Sequence, residues 1–99
     1  MTPEGKVKAQ VKKLLNSYKP HVWYFMPVQN GMGKPALDFM GYAWGEGLVI
    51  ETKAPGKKPT PRQEETIRHI VASDTKVFVI DGDTTELETW LLLHAGNNS

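Results

Sequence analysis

Residues 36–53 read "ALDFMGYAWGEGLVIETK", and how they fold decides the architecture. Two apolar, β-prone runs flank a glycine-rich break. Residues 36–44 form one strand, "WGEG" turns the chain around Glu46, and residues 47–53 form the next strand, so the pair is a hairpin. The first strand carries an acid, Asp38, inside an otherwise apolar run. The second ends in Glu51-Thr52-Lys53, where residues two apart share one face, roughly 6–7 Å from each other. A turn centred near 45–46 brings Asp38 close to residues 51–53.

An acid-x-Lys triplet carries little information alone. The chain holds three: Glu4-Gly5-Lys6, Glu51-Thr52-Lys53 and Asp74-Thr75-Lys76. Only the middle one lies on a strand paired with a strand that carries a second, buried-looking acid. Two carboxylates within reach of each other at a partly buried site repel unless a cation compensates. Hard oxygen ligands suit Mg²⁺ or Mn²⁺. A lysine beside such a centre orients a water or stabilises charge on a phosphorane-like transition state.

Outward from the hairpin, the order of elements reads α-β-β-β-α-β-α. Residues 3–18 predict a helix with Thr2 as N-cap and Pro3 at the first position. Val7, Val11, Leu14, Leu15 and Tyr18 make its apolar stripe, with Glu4 at the tip and Pro20 as terminator. Residues 21–28, "HVWYFMPV", are apolar on both alternations, which predicts a strand covered on both faces. Residues 29–35, "QNGMGKP", form a Gly-rich loop; "GMGK" is too short for a P-loop. The loop "APGKKPTP" leads into Thr60-Pro61-Arg62-Gln63, a capping box opening a helix with Ile67, Ile70 and Val71 as its apolar stripe. "KVFVID", 76–81, is a fourth strand. Asp83 or Thr84 caps a last helix through "ELETWLLLH", and "GNNS" is a loose tail. This order predicts an α/β fold: a sheet flanked by helices in one domain over 1–95, with 96–99 as tail.

Composition narrows the function classes. The 99 residues include 39% apolar side chains, enough for a globular core. There is no cysteine, hence no disulfide and no thiolate zinc site. No run is long and apolar enough for a membrane span or a signal peptide, so a cytoplasmic protein is expected. His21, His69 and His94 share no metal-ligand spacing. Net charge is +1, far from that of a protein living by phosphate contacts alone. The distribution is uneven: Lys6, Lys8, Lys12, Lys13 and Lys19 lie near the start, Lys53, Lys57, Lys58 and Arg62 in one loop, and Asp81, Asp83, Glu86 and Glu88 together. Lys34, Lys57, Lys58 and Arg62 are candidate phosphate contacts. The last helix is apolar nearly all round, at Leu87, Trp90, Leu91, Leu92 and Leu93. That predicts a homodimer contact through part of this helix, with first-helix or Trp23 and Trp44 surface beside it.

Asp38, Glu51-x-Lys53 on the following strand and Gln63 in the next helix resemble a PD-(D/E)xK nuclease. More specifically, "GKPALDFMGYAWGEGLVIETKAPGKKPTPRQEETI" (33–67) is similar to the virus-type replication-repair nuclease (VRR-NUC) family. The resemblance implies a restriction-endonuclease-like αβββαβ core with an extra C-terminal helix. It implies a metal-dependent phosphodiesterase acting on DNA, often branched or flapped. It assigns Glu4, Asp38 and Glu51 to the metal, Lys53 to catalysis and Gln63 to a place beside the site. The family's Pro-Asp pair is absent; Pro35 stands three residues before Asp38. Short stand-alone members resemble dimeric Holliday-junction resolvases, usually of phages. The competing expectation is a non-catalytic DNA- or protein-binding module on the same fold.

Overall fold

The computed structural model describes residues 1–28 and 36–98. The expected loop 29–35, Lys34 with it, and Ser99 lie outside the described residues.

Helix α1 spans Pro3–Asn16. The Thr2 hydroxyl accepts from the Gly5 N–H at 3.0 Å, and Pro3 occupies the first turn, where its missing donor does no harm. The helix stops before the expected Tyr18. Ser17 ends it, because its N–H and hydroxyl both turn back onto the last carbonyls, the hydroxyl reaching Leu14 O at 2.6 Å. Val7, Val11 and Leu15 are buried as the stripe requires, and Leu14 and Tyr18 pack at its margin.

Strands β1 (Val22–Phe25), β2 (Phe39–Ala43) and β3 (Glu46–Thr52) form an antiparallel meander. Trp44 and Gly45 alone make the β2–β3 turn, with φ of 50° and 82°. Both positive values suit the tight hairpin turn whose twist matches that of the strands. The turn sits one residue earlier than its expected centre. The register therefore pairs Ala43 with Glu46 and Phe39 with Ile50, and the next residues outward are Asp38 and Glu51. Gly41 lies opposite Tyr24, where any Cβ would come within 2.0 Å of Trp23 O.

After β3 the chain crosses through α2 (Pro61–Ala72) to β4 (Lys76–Ile80), which pairs with β3 in parallel. The sheet order is β1-β2-β3-β4. Thr60 and Gln63 form the expected capping box. Last comes α3 (Thr85–Asn97). Thr84 is its N-cap by backbone, but its hydroxyl donates to Glu88 instead of capping; Asp83 accepts from the Thr85 N–H at 2.9 Å. The helix runs to Asn97, past its expected end at His94, because Asn98 closes it through its own N–H and side chain onto His94 O. No helix among the described residues is long and apolar enough to cross a membrane.

One face of the sheet carries the core. Val7, Val11 and Leu15 of α1 and Leu87 and Leu91 of α3 pack there on Val22, Phe39, Ala43, Leu48, Ile50, Phe78 and Ile80. The other face is only partly covered. The α2 stripe is not a buried one as the sequence predicts: Ile67 and Ile70 are half-buried and Val71 is exposed. The strand at 21–28 is also shorter than predicted and covered on one face only. Pro27 has no N–H to extend the ladder, and Trp23 and Phe25 remain 59% and 49% exposed. The reason is the position of α2, which packs on β4 and leaves a groove walled by Trp23, Phe25, Tyr42, Val49 and Ile70.

Candidate active site

The hairpin delivers its acids to the end of the sheet, beside the first turns of α1 and α2. Asp38 precedes β2, and one of its oxygens, Oδ2, accepts from both the N–H and the hydroxyl of Thr52, at 2.9 and 2.6 Å. Thr52 is fully buried, so this pair of hydrogen bonds to one oxygen fixes the carboxylate from inside the fold. The other oxygen, Oδ1, faces the Lys8 ammonium at 3.6 Å.

Glu51 is 2% exposed. Its Oε2 lies 3.8 Å from Lys53 Nζ, while Oε1 is buried without a hydrogen-bond partner. Burial pushes the Glu51 carboxyl up to about 7, and the neighbouring Asp38 charge adds to the rise; Lys53 opposes both. An orphaned carboxylate oxygen beside a second carboxylate is unstable by itself. Lys53 is anchored by its backbone, which extends the β3–β4 ladder through a 2.9 Å bond to Ile80 O.

Glu4 and Lys8 stand one helical turn apart on α1, with Lys8 Nζ 3.7 Å from Glu4 Oε2. Lys8 thus bridges Glu4 and Asp38. Gln63 reaches the site from the start of α2, its Oε1 accepting from Thr60 N–H at 2.9 Å. Glu4, Lys8, Asp38, Glu51, Lys53 and Gln63 line one cleft of about 370 Å³, closed on one side by Met26 and Pro27.

Five residues singled out from the sequence therefore share a cleft, but they do not all share one point. Among the described residues, no three Asp, Glu, His or Cys side chains converge closely enough to hold a metal ion. Asp38 and Glu51 converge; Glu4 is joined to Asp38 only through Lys8, whose ammonium takes the position between them. Two hard carboxylates, one of them with an unused buried oxygen, fit an octahedral cation that keeps several waters. Lys57, Lys58 and Arg62 are exposed on the loop and helix start that follow Lys53. His21 and His69 are exposed and away from the cleft, and His94 bonds Glu46 and Trp90.

Among solved structures, a "VRR_NUC domain" matches with a TM-score of 0.72 over 90% of this chain and 94% of that one, at 21% identity. The chain has the VRR_NUC fold. The mixed four-stranded sheet with helices on both faces is thus the restriction-endonuclease-like α/β architecture expected from 33–67. No family model and no curated protein matches the sequence.

Two residues that shape the site on this VRR_NUC fold, buried Thr52 behind the cleft and Lys8 in its lining, escaped the sequence reading. Thr52 occupies the middle of the Glu-x-Lys triplet, a position that reads as a spacer. Its hydroxyl and its place next to Glu51, the residue that comes opposite Asp38 in the hairpin, were the available signal. Lys8 lies four residues after Glu4, the spacing that stacks two side chains on one helix face.

Proposed function

We propose that this chain is a Mg²⁺- or Mn²⁺-dependent DNA endonuclease that hydrolyses phosphodiester bonds, selective for branched DNA such as a four-way junction. One observation carries the reading: Asp38 and the half-satisfied Glu51 meet Lys53 in a single cleft, on a VRR_NUC fold. Asp38 and Glu51 would hold the cation, with Glu4 reaching it through the same cleft. When bound, the cation supplies Lewis-acid stabilisation of the phosphoryl oxygens and a more acidic water.

The chain's own residues do the rest. Thr52 fixes the Asp38 carboxylate. Lys53, held by Glu51, positions the attacking water and places a positive charge where negative charge builds on phosphorus. Gln63 orients Lys53 or that water from the rim of α2. Lys57, Lys58 and Arg62, with Lys34, grip flanking phosphates without reading bases. Water attacks in line with the departing sugar oxygen, and the product is a nick. A homodimer through the outward face of α3, where Leu92 and Leu93 are 63% and 61% exposed, would present two such sites to two strands.

The test is cleavage of plasmid, four-way junction, flap, single-stranded and duplex DNA with Mg²⁺, Mn²⁺ or EDTA. Cutting should require metal, favour the branched substrates and fall at least about 100-fold in Lys53→Ala and Asp38→Asn. The absence of a third converging acid among the described residues favours a second reading, a non-catalytic DNA- or protein-binding module. Binding without cutting, unchanged by either substitution, would establish that one.

A further inference from the structure

Lys8 belongs to no motif, yet its ammonium bridges two of the three cleft acids, 3.6 Å from Asp38 Oδ1 and 3.7 Å from Glu4 Oε2. Asp38 has committed its other oxygen to two Thr52 donors. Oδ1 is therefore the oxygen that Asp38 can offer to a cation, and Lys8 already covers it. A bound divalent cation and the ammonium would compete for that atom and repel each other. Lys8 can leave: its side chain is 34% exposed and sits on a flexible four-carbon stem at the surface of α1. The partner best suited to a displaced ammonium beside a nuclease site is a backbone phosphate of DNA.

We propose that Lys8 is a tethered counter-ion that couples metal loading to DNA binding. This rests on the metal-dependent nuclease reading. Without metal, Lys8 neutralises Asp38 and Glu4 and holds the cleft together. With DNA present, a phosphate draws Lys8 away and uncovers Asp38, so metal binds more tightly. By linkage, metal must favour DNA binding by the same factor. An ordinary helix-surface ion pair, by contrast, would contribute little to either equilibrium.

The experiment is calorimetric titration of Mg²⁺ into the full chain, alone and saturated with a cleavage-resistant phosphorothioate duplex. Wild type, Lys8→Met, Lys8→Arg and Asp38→Asn are compared, with circular dichroism as the check on folding and Lys8→Gln as a second charge-removing variant. Lys8→Met should bind Mg²⁺ about tenfold more tightly than wild type in the absence of DNA. DNA should tighten Mg²⁺ binding to wild type by about tenfold and to Lys8→Met by under about threefold. Lys8→Arg, which keeps the charge, should behave as wild type. If Lys8→Met and Lys8→Gln bind Mg²⁺ no more tightly than wild type, while Asp38→Asn abolishes binding, the metal site stands and the role of Lys8 falls. If no variant binds Mg²⁺ with or without DNA, both fall.

Discussion

The hydroxyl and the backbone N–H of Thr52 both donate to the same oxygen of Asp38, at 2.6 and 2.9 Å. The middle residue of Glu51-Thr52-Lys53 thus orients the acid that precedes the neighbouring strand. Thr52→Val keeps shape and volume but removes the hydroxyl. It should lower stability by about 1.5–3 kcal/mol, the scale of a hydrogen bond to a charged group. It should also lower metal affinity by about 10–100-fold, as loss of a residue that orients a ligand does. Urea unfolding and Mg²⁺ titration of the same preparation separate the two effects.

Glu51 makes the metal-free protein less stable as pH rises. Its folded value, about 7, lies above the ordinary 4.5. Below about pH 4.5 the carboxyl is neutral folded or unfolded and contributes nothing. As pH rises towards 7 and beyond, the buried charge forms, and the penalty approaches roughly 3 kcal/mol. Glu51→Gln should therefore be more stable than wild type at pH 8, with little difference at pH 4, and should not cleave. Mg²⁺ should raise the wild-type melting temperature at pH 8 and leave that of Glu51→Gln unmoved. Equal urea midpoints for the two proteins at pH 8 in EDTA would refute this.

A second titration lies at the opposite end of the sheet. Partial burial works against the charged form of His94, but its bonds to Trp90 O and to Glu46 Oε2 at 2.7 Å outweigh that and raise its pKa above 6.5. The contribution is present in full below pH 6.5 and is lost as pH climbs through the folded value. Glu46→Gln should move the His94 ring titration downward in a nuclear magnetic resonance series. A midpoint that stays put would mean that Glu46 does not hold the imidazolium.

Gln63 has a structural duty besides its place in the cleft. Its Oε1 completes the capping box with Thr60. Gln63→Ala should cost about 0.5–1 kcal/mol through the cap alone. Gln63→Glu retains the acceptor and should keep stability. If Gln63→Glu also keeps full cleavage, the carboxamide nitrogen has no part in the reaction.

The proposed self-association can be tested face by face. Leu92→Lys together with Leu93→Lys should shift sedimentation from dimer to monomer if α3 forms the contact, because two charges would have to be desolvated at the interface. The same pair of charges placed at Trp23 and Phe25 should then leave the proposed dimer intact. The reverse pattern would move the interface to the groove beside β1.

Local chemistry was the legible part of the sequence. The Val7, Val11 and Leu15 stripe, the Thr2 and Thr60 caps and the glycine turn each follow from spacing or side-chain type within a few residues, and each was found. What a helix lies against is a tertiary fact. Ile67, Ile70 and Val71 have the spacing of a core face, yet α2 rests on β4 near the margin of the sheet and buries none of them fully. The same shortfall explains Trp23 and Phe25, whose letters suit a covered strand. Lys8 is illegible for a related reason. Its position on α1 is clear, but only packing reveals that this end of the helix stands over Asp38.

The Trp44–Gly45 turn has no slack. One residue added or lost between Phe39 and Ile50 would hand every later side chain of β3 to the opposite surface, sending Glu51 and Lys53 into the hydrophobic interior and Thr52 out of reach of Asp38. Viable length changes are thereby confined to stretches such as 54–59, where the backbone carries no paired ladder. The cleft is in this sense a matter of counting: the interval from Asp38 to Glu51 is as much a requirement as the residues at its ends.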